Sequence, residues 1–264
     1  MRISRQDATE VTVTSVAPGK RVFLSAHWQA LAMINFPIEP ELLLPLVPRG
    51  TTLDFFGGVA YVSVVGFSFR NTRLLGLSVP WHVDFEEVNL RFYVQRTVGH
   101  EVRRGVCFVK EIVPRWAIAN VARWSYNEPY VALPMRSEVG LAAMAAADSA
   151  AKAHAVAYGW RTKAGWLGMR INTRGERQAA AEGSLEEFIA EHYWGYCRQR
   201  DGGTVEYEVE HPHWNVWQAE AAPWQGDVPA FYGAPWSSAL QQQPSSAFLA
   251  DGSAVKVFRP TRIA

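Results

Sequence analysis

Three polar side chains recur at every second position of one short segment: Glu87, Asn89 and Arg91, within Phe85-Glu86-Glu87-Val88-Asn89-Leu90-Arg91-Phe92-Tyr93-Val94. Strand side chains repeat with period two. A carboxylate, an amide and a guanidinium therefore share one face, and Val88, Leu90, Phe92 and Val94 share the other. Such a row suits a small, polar, anionic ligand, because guanidinium offers a planar fork to a carboxylate and an amide both donates and accepts. The ordinary meaning of the same alternation is a solvated outer face, which composition alone favours. His192 continues an apolar stripe on a helix and His211 one on a strand, so both are expected to face inward. There they would serve either as acid–base groups near neutral pH or as paired core side chains. No third ligand stands at a metal-site spacing from His211 and His213, so no metal is expected, nor any other cofactor. A Gly-rich phosphate loop, a nucleophile elbow and an aromatic-basic alternation for single strands are all missing from the sequence.

Elements must hold these residues in place. Val59 to Phe69 is apolar on both parities, the pattern of a central strand covered on both faces. Phe85 to Gln95 alternates as a strand, and Arg104 to Val113 follows as the next after a turn near Gly99-His100. A short helix is expected within Phe36 to Pro45, and Pro114 opens another through Ala122. The alanine-rich run 137–151 fits helix but leads into a segment that alternates like a strand from about residue 153, and its state is left open. Ser184-Leu185-Glu186-Glu187 is a capping box, followed by a helical stripe of Leu185, Phe188, Ile189, His192, Tyr193 and Tyr196. Asp201-Gly202-Gly203 turns the chain into Val205 to His211, and a last strand is expected near Ala254 to Phe258. Many strands with two or three short helices mean α+β or an all-β barrel.

The chain of 264 residues is read as a lead-in over 1–20 and one domain over 21–264. Hydrophobic residues at 48% against 19% charged support a large core and exclude disorder. The eleven tryptophans suit core packing and the walls of ligand clefts. A net charge of +1 gives no field that favours nucleic acid or an anionic membrane. Neither a signal peptide nor a membrane-spanning apolar run is read in the sequence, so a cytoplasmic location is expected. Cys107 and Cys197 lack the spacing of a metal cage or a disulfide framework. The only lysines are Lys20, Lys110, Lys152, Lys163 and Lys256.

Several long phrases resemble the YqjF-like family, also called domain of unknown function 2071. They are the Phe85 to Val94 segment, Arg104-Gly105-Val106-Cys107-Phe108-Val109-Lys110-Glu111-Ile112-Val113-Pro114-Arg115, Tyr126-Asn127-Glu128-Pro129-Tyr130, Glu187 to Tyr196, and Tyr207-Glu208-Val209-Glu210-His211-Pro212-His213-Trp214. The resemblance implies a mostly antiparallel fold similar to the acetoacetate decarboxylase-like superfamily: a β-barrel or cone with short flanking helices. It turns the Glu87 face into the barrel, reversing the solvent-face reading. In that superfamily's decarboxylase a lysine forms a Schiff base with a β-keto acid and a glutamate shapes the pocket. Lys110 and Glu87 are the positions here that most nearly match, although Glu111 stands where the decarboxylase has a second lysine. Arg104 and Tyr126, from two of the phrases, join Asn89, Arg91, His192 and His211 as candidate ligand contacts.

A Schiff-base amine must be neutral enough to attack a carbonyl. Arg104 shares the parity of Lys110, yet six strand residues span roughly 20 Å, so Arg91 is the better neighbouring cation. The alternative for Lys110 is a surface ion pair. The resulting expectation is a pocket for a small organic acid or keto compound, used either for Schiff-base chemistry or for binding without catalysis. A third option is a scaffold whose polar rows are purely structural. Homo-oligomerisation is left open.

Overall fold

The computed structural model describes residues 20–78, 83–114, 129–139 and 155–264. The expected lead-in, Tyr126, and all but the first residue of the expected Pro114–Ala122 helix lie outside these residues. In chain order the strands are β1 (Val22–Ile38), β2 (Thr52–Leu53), β3 (Ala60–Leu74), β4 (Leu77–Ser78), β5 (Phe85–Val98), β6 (Glu101–Val113), β7 (Tyr130–Ala132), β8 (Met135–Val139), β9 (Ala155–Thr162) and β10 (Gly165–Ala179). They continue as β11 (Trp194–Arg198), β12 (Thr204–Glu210), β13 (Asn215–Ala221), β14 (Ser246–Phe258) and β15 (Thr261–Arg262). The helices are short: α1 (Pro40–Leu43), α2 (Leu185–Ala190), α3 (Val228–Tyr232) and α4 (Ala234–Leu240).

Nearly all the pairings are antiparallel; β7 and β11 run parallel to β6. The strand path β12-β11-β6-β5-β3-β1-β14 returns to its start through Val209↔Val257 and Glu210↔Lys256. Two residue pairs make that closure, so the sheet forms a ring drawn together at one seam rather than an evenly closed barrel. From β14 the sheet continues outward through β13, β10, β9 and β8.

This layout gives the central strands two apolar environments. One face of β3 and β5 (Val62, Val64, Val88, Leu90) packs on Tyr158, Trp160 and Met169 of β9 and β10. Contact is close enough that a Cβ on Gly66 would lie 2.4 Å from the Tyr158 ring. The other face (Val65, Phe67, Phe85, Tyr93) meets Phe188 and Ile189 of α2 and Trp214. The expectation that the Val59–Phe69 segment is covered on both sides agrees with this packing.

At α2 the Ser184 hydroxyl accepts the Glu187 amide at 3.2 Å, and the Glu187 carboxylate accepts the Gly183 amide at 2.7 Å. The helical stripe expected to run through Tyr196 ends earlier, at Ala190. Gly195, a poor helix former, lies on β11 opposite Tyr207, and a Cβ there would fall 2.1 Å from the Tyr207 ring. Tyr196 is thus a strand residue, and His192 stands in the link between α2 and β11.

Candidate functional site

The polar face of β5 is buried, not solvated: Glu87 is 3% exposed, Asn89 2%, and Arg91 is half-buried. These three, together with His192 and His211, line a cavity of about 200 Å³ whose walls are mostly apolar and rich in aromatic rings, among them Trp28, Phe67, Phe69 and Trp214. The cavity thus joins an apolar wall to a polar floor.

The neighbouring strand β6 contributes through an irregularity. Phe108 pairs with Arg91 and Lys110 pairs with Leu90, which leaves Val109 as an extra, bulged residue. A bulge changes which parity of a strand faces a given side. Before it, Val106 and Phe108 point into the cavity; after it, Glu111 does, directly opposite Asn89. Lys110 is turned the other way, beside Leu90 in the opposite core. Its ammonium donates to the Phe231 carbonyl at 2.8 Å and sits 4.1 Å from the Phe231 ring centroid. Burial lowers its pKa, but the amine does not line the cavity. The expectation that Lys110 stands beside Glu87 and Arg91 is corrected by this one-residue bulge. No lysine lines the cavity among the described residues.

Glu87 accepts hydrogen bonds from Asn89 Nδ2 at 3.1 Å and from the Tyr130 hydroxyl at 3.3 Å. Burial pushes its carboxyl up to about 7, against the downward pull of those two bonds and of the Arg91 charge. It can therefore give or take a proton near neutrality. Arg91 donates to the Ile189 carbonyl at the end of α2 at 3.2 Å, which ties the floor to the helix.

His192 is joined to two residues from other elements. Its Nε2 lies 3.2 Å from Asp54 Oδ2, and Arg104 Nε donates to the same oxygen at 2.7 Å. Burial opposes ionisation of Asp54, but hydrogen bonds from His192 and Arg104 outweigh it and hold the carboxyl low. Burial, reinforced by the Arg104 and Arg91 charges, pushes the His192 imidazole down to about 4, despite the Asp54 bond. His192 is thus neutral at pH 7. Arg104 is absent from the cavity lining, so its expected role as a ligand contact becomes one of supporting Asp54. His211 stacks on Trp214 at 4.0 Å, and its Nδ1 donates to the Pro212 carbonyl at 2.9 Å. Burial lowers its pKa to about 4.

The structure brings together Glu87, Asn89, Arg91, His192 and His211, and leaves Lys110 on the far face. Sequence reasoning missed Glu111, Asp54 and Tyr130. Glu111 was visible beside Lys110, but only the bulge selects it. Asp54 lies 138 residues from His192, and no local pattern joins them.

A family profile described as uncharacterized conserved protein, domain of unknown function 2071, matches residues 25–254. The uncharacterized protein YqjF of Bacillus subtilis is 30% identical over 112 residues, which is 42% of this chain and 45% of that protein. The match thus spans just under half the length of that relative. Among solved structures the chain is similar to acetoacetate decarboxylase from Legionella pneumophila, with a TM-score of 0.64 at 10% identity over 100% of this chain and 98% of that one. It is also similar to the enduracididine biosynthesis enzyme MppR complexed with pyruvate, with a TM-score of 0.61 at 10% identity over 96% and 93% of the two chains. At these identities the likeness is one of fold.

Proposed function

The chain belongs to the family of uncharacterized conserved proteins termed domain of unknown function 2071, and we propose that its aromatic cavity binds a small organic acid or keto compound without covalent attachment to Lys110. The observation that carries this reading is the buried polar floor of Glu87, Asn89 and Arg91 at one side of an otherwise apolar cavity. Pockets for small molecules combine an apolar wall with a few convergent polar groups. Burying polar groups without ligand or partner is costly.

Each group has a distinct part in the reading. Arg91 supplies the cation for a carboxylate. Glu87 in its protonated form donates to a ligand oxygen, and near neutrality it exchanges that proton. With Glu87 protonated, that carboxyl does not repel an anion as its charged form would. That the fold-alike MppR is complexed with pyruvate, and that the other fold-alike is an acetoacetate decarboxylase, adds support for small keto acids.

The test is calorimetric titration of pyruvate, acetoacetate and phenylpyruvate into the wild type and Arg91→Met. Saturable binding is expected in the wild type, with affinity lowered at least about tenfold in the variant, the scale of one lost charge-assisted contact. Equal affinity in both proteins, or no binding of any member of the panel, would sink the reading. Borohydride treatment of the ligand-bound protein, followed by mass spectrometry, is expected to give no adduct at Lys110.

A further inference from the structure

The cavity differs from one end to the other. Its carboxylate, amide and guanidinium groups, on Glu87, Asn89, Arg91 and Glu111, all come from β5 and β6. Of these Arg91 is the half-buried one, while the other three are at most 3% exposed. Arg91 Nε donates to the Tyr93 hydroxyl, and Nη2 to the Ile189 carbonyl. Nη1 makes no hydrogen bond among the described residues, so the guanidinium keeps donors for a ligand.

The far end is built from Phe23 and Leu24 of β1, Leu74 of β3, Val209 of β12 and Val257 of β14. All five are half-buried, so the wall here is open to solvent rather than sealed. Arg91 pairs with Ser63 near the start of β3, and Leu24 with Leu74 at its finish. Most of that strand therefore separates the two ends. Between them Trp28, Phe67 and Phe69 form a strip with ring centroids 5.1, 5.2 and 5.8 Å apart. Val209 and Val257 also make one of the two pairs that close the ring. Beyond Leu74 the surface stays apolar: Leu75, whose amide bonds the Phe23 carbonyl, is 52% exposed, and Leu77 73%. A pyruvate-sized acid at Arg91 leaves this apolar surface wet. A chain that covers it is favoured in proportion to the area removed from water.

We propose that the cavity takes an amphiphilic acid, whose carboxylate meets Arg91 and whose unbranched alkyl chain runs over Trp28, Phe67 and Phe69 toward the Val209–Val257 seam. The proposal rests on the cavity being the binding site, and it names the class of acid that fills it. Selection is by chain length: each methylene brought into the cavity raises affinity about fourfold, the scale of burying one such group. A volume of about 200 Å³ is less than a drug-sized ligand fills, so the chain is of medium length.

The experiment titrates the straight-chain 2-oxo acids of three, five, six and eight carbons into the wild type and Val209→Asp. In parallel, isotope-filtered NMR locates the terminal methyl of the tightest-binding acid in the wild type. Wild-type affinity is expected to climb about fourfold per methylene, with the terminal methyl in contact with Val209 or Val257. In Val209→Asp the climb flattens, while the three-carbon acid, pyruvate, binds within twofold of the wild type. Three outcomes overturn the proposal and leave the cavity reading intact: wild-type affinity independent of chain length, an equal climb in Val209→Asp, or a terminal methyl away from both valines. No binding by any acid of the series overturns both. If Val209→Asp does not fold, the two wild-type measurements still decide.

Discussion

Glu87 holds its proton to about 7 in the folded chain, whereas an ordinary glutamate releases it near 4.5. Between those values the folded state binds a proton that the unfolded state lacks. Its contribution to stability is therefore complete below about 4.5 and is lost as the pH rises through about 7. A difference of that size corresponds to about 3 kcal/mol. Glu87→Gln removes the titration while keeping the size of the side chain. We predict that denaturant unfolding of this variant loses the decline seen for the wild type across this window, and that the variant is the more stable protein at pH 8. An unchanged pH slope would assign the titration to another group. Lys110 supplies the opposite case at the same scale. Its ammonium is taken up by the Phe231 carbonyl and ring on the face away from the cavity, so Lys110→Met is expected to bind the keto-acid panel within twofold of the wild type.

Placement of these side chains is the work of two local features, the bulge in β6 and the capped helix α2. The cap is readable in the sequence, as Ser184 followed by Glu187; the Ser184 hydroxyl accepts the Glu187 amide, and the Glu187 carboxylate reaches past Ser184 to accept the Gly183 amide. Ser184→Ala is expected to cost about 1 kcal/mol in thermal or denaturant unfolding, with Ser184→Asp recovering most of it. Because Arg91 binds the Ile189 carbonyl at the end of that helix, the Ala variant should also weaken ligand binding; a cap that matters only for stability would leave affinity unchanged. The alternation of Glu87, Asn89 and Arg91 was legible for the same kind of reason: period two is a property of neighbours along the chain. Burial of that face came from the family resemblance, because a polar row on a strand reads as solvated on composition alone. The bulge at Val109 was not legible. Val106, Phe108, Ile112 and Val113 are apolar on either parity, so nothing in the segment marks the residue at which the faces change. The link between Asp54 and His192 was hidden by distance along the chain.

Across the whole molecule, one strand joins the closed ring to the outer strands. β14 pairs with β1 and with β13, and its Val257 and Lys256 close the ring against β12. It is therefore common to the ring that holds the cavity and to the outer strands β8 to β10 that cover the opposite core. If the described chain behaves as one domain, damage to β14 must destabilise both parts together. Phe248 is fully buried on β14, pairing with Met33 of β1 on one side and Gln218 of β13 on the other. Phe248→Leu keeps much of the volume and should remain folded, at a cost of about 1–2 kcal/mol, below the 3–5 kcal/mol typical of full truncation to alanine. Two probes report separately in protein labelled with 5-fluorotryptophan: the assigned fluorine-19 resonance of Trp214 on the cavity side and that of Trp160 in the opposite core. Their unfolding curves are expected to coincide in the wild type and to shift by the same amount in the variant, as cooperative unfolding requires. Curves that separate, or a shift confined to one probe, would divide the chain into two units joined at β14. In that event the cavity-side ring would have to be treated as the smallest functional piece.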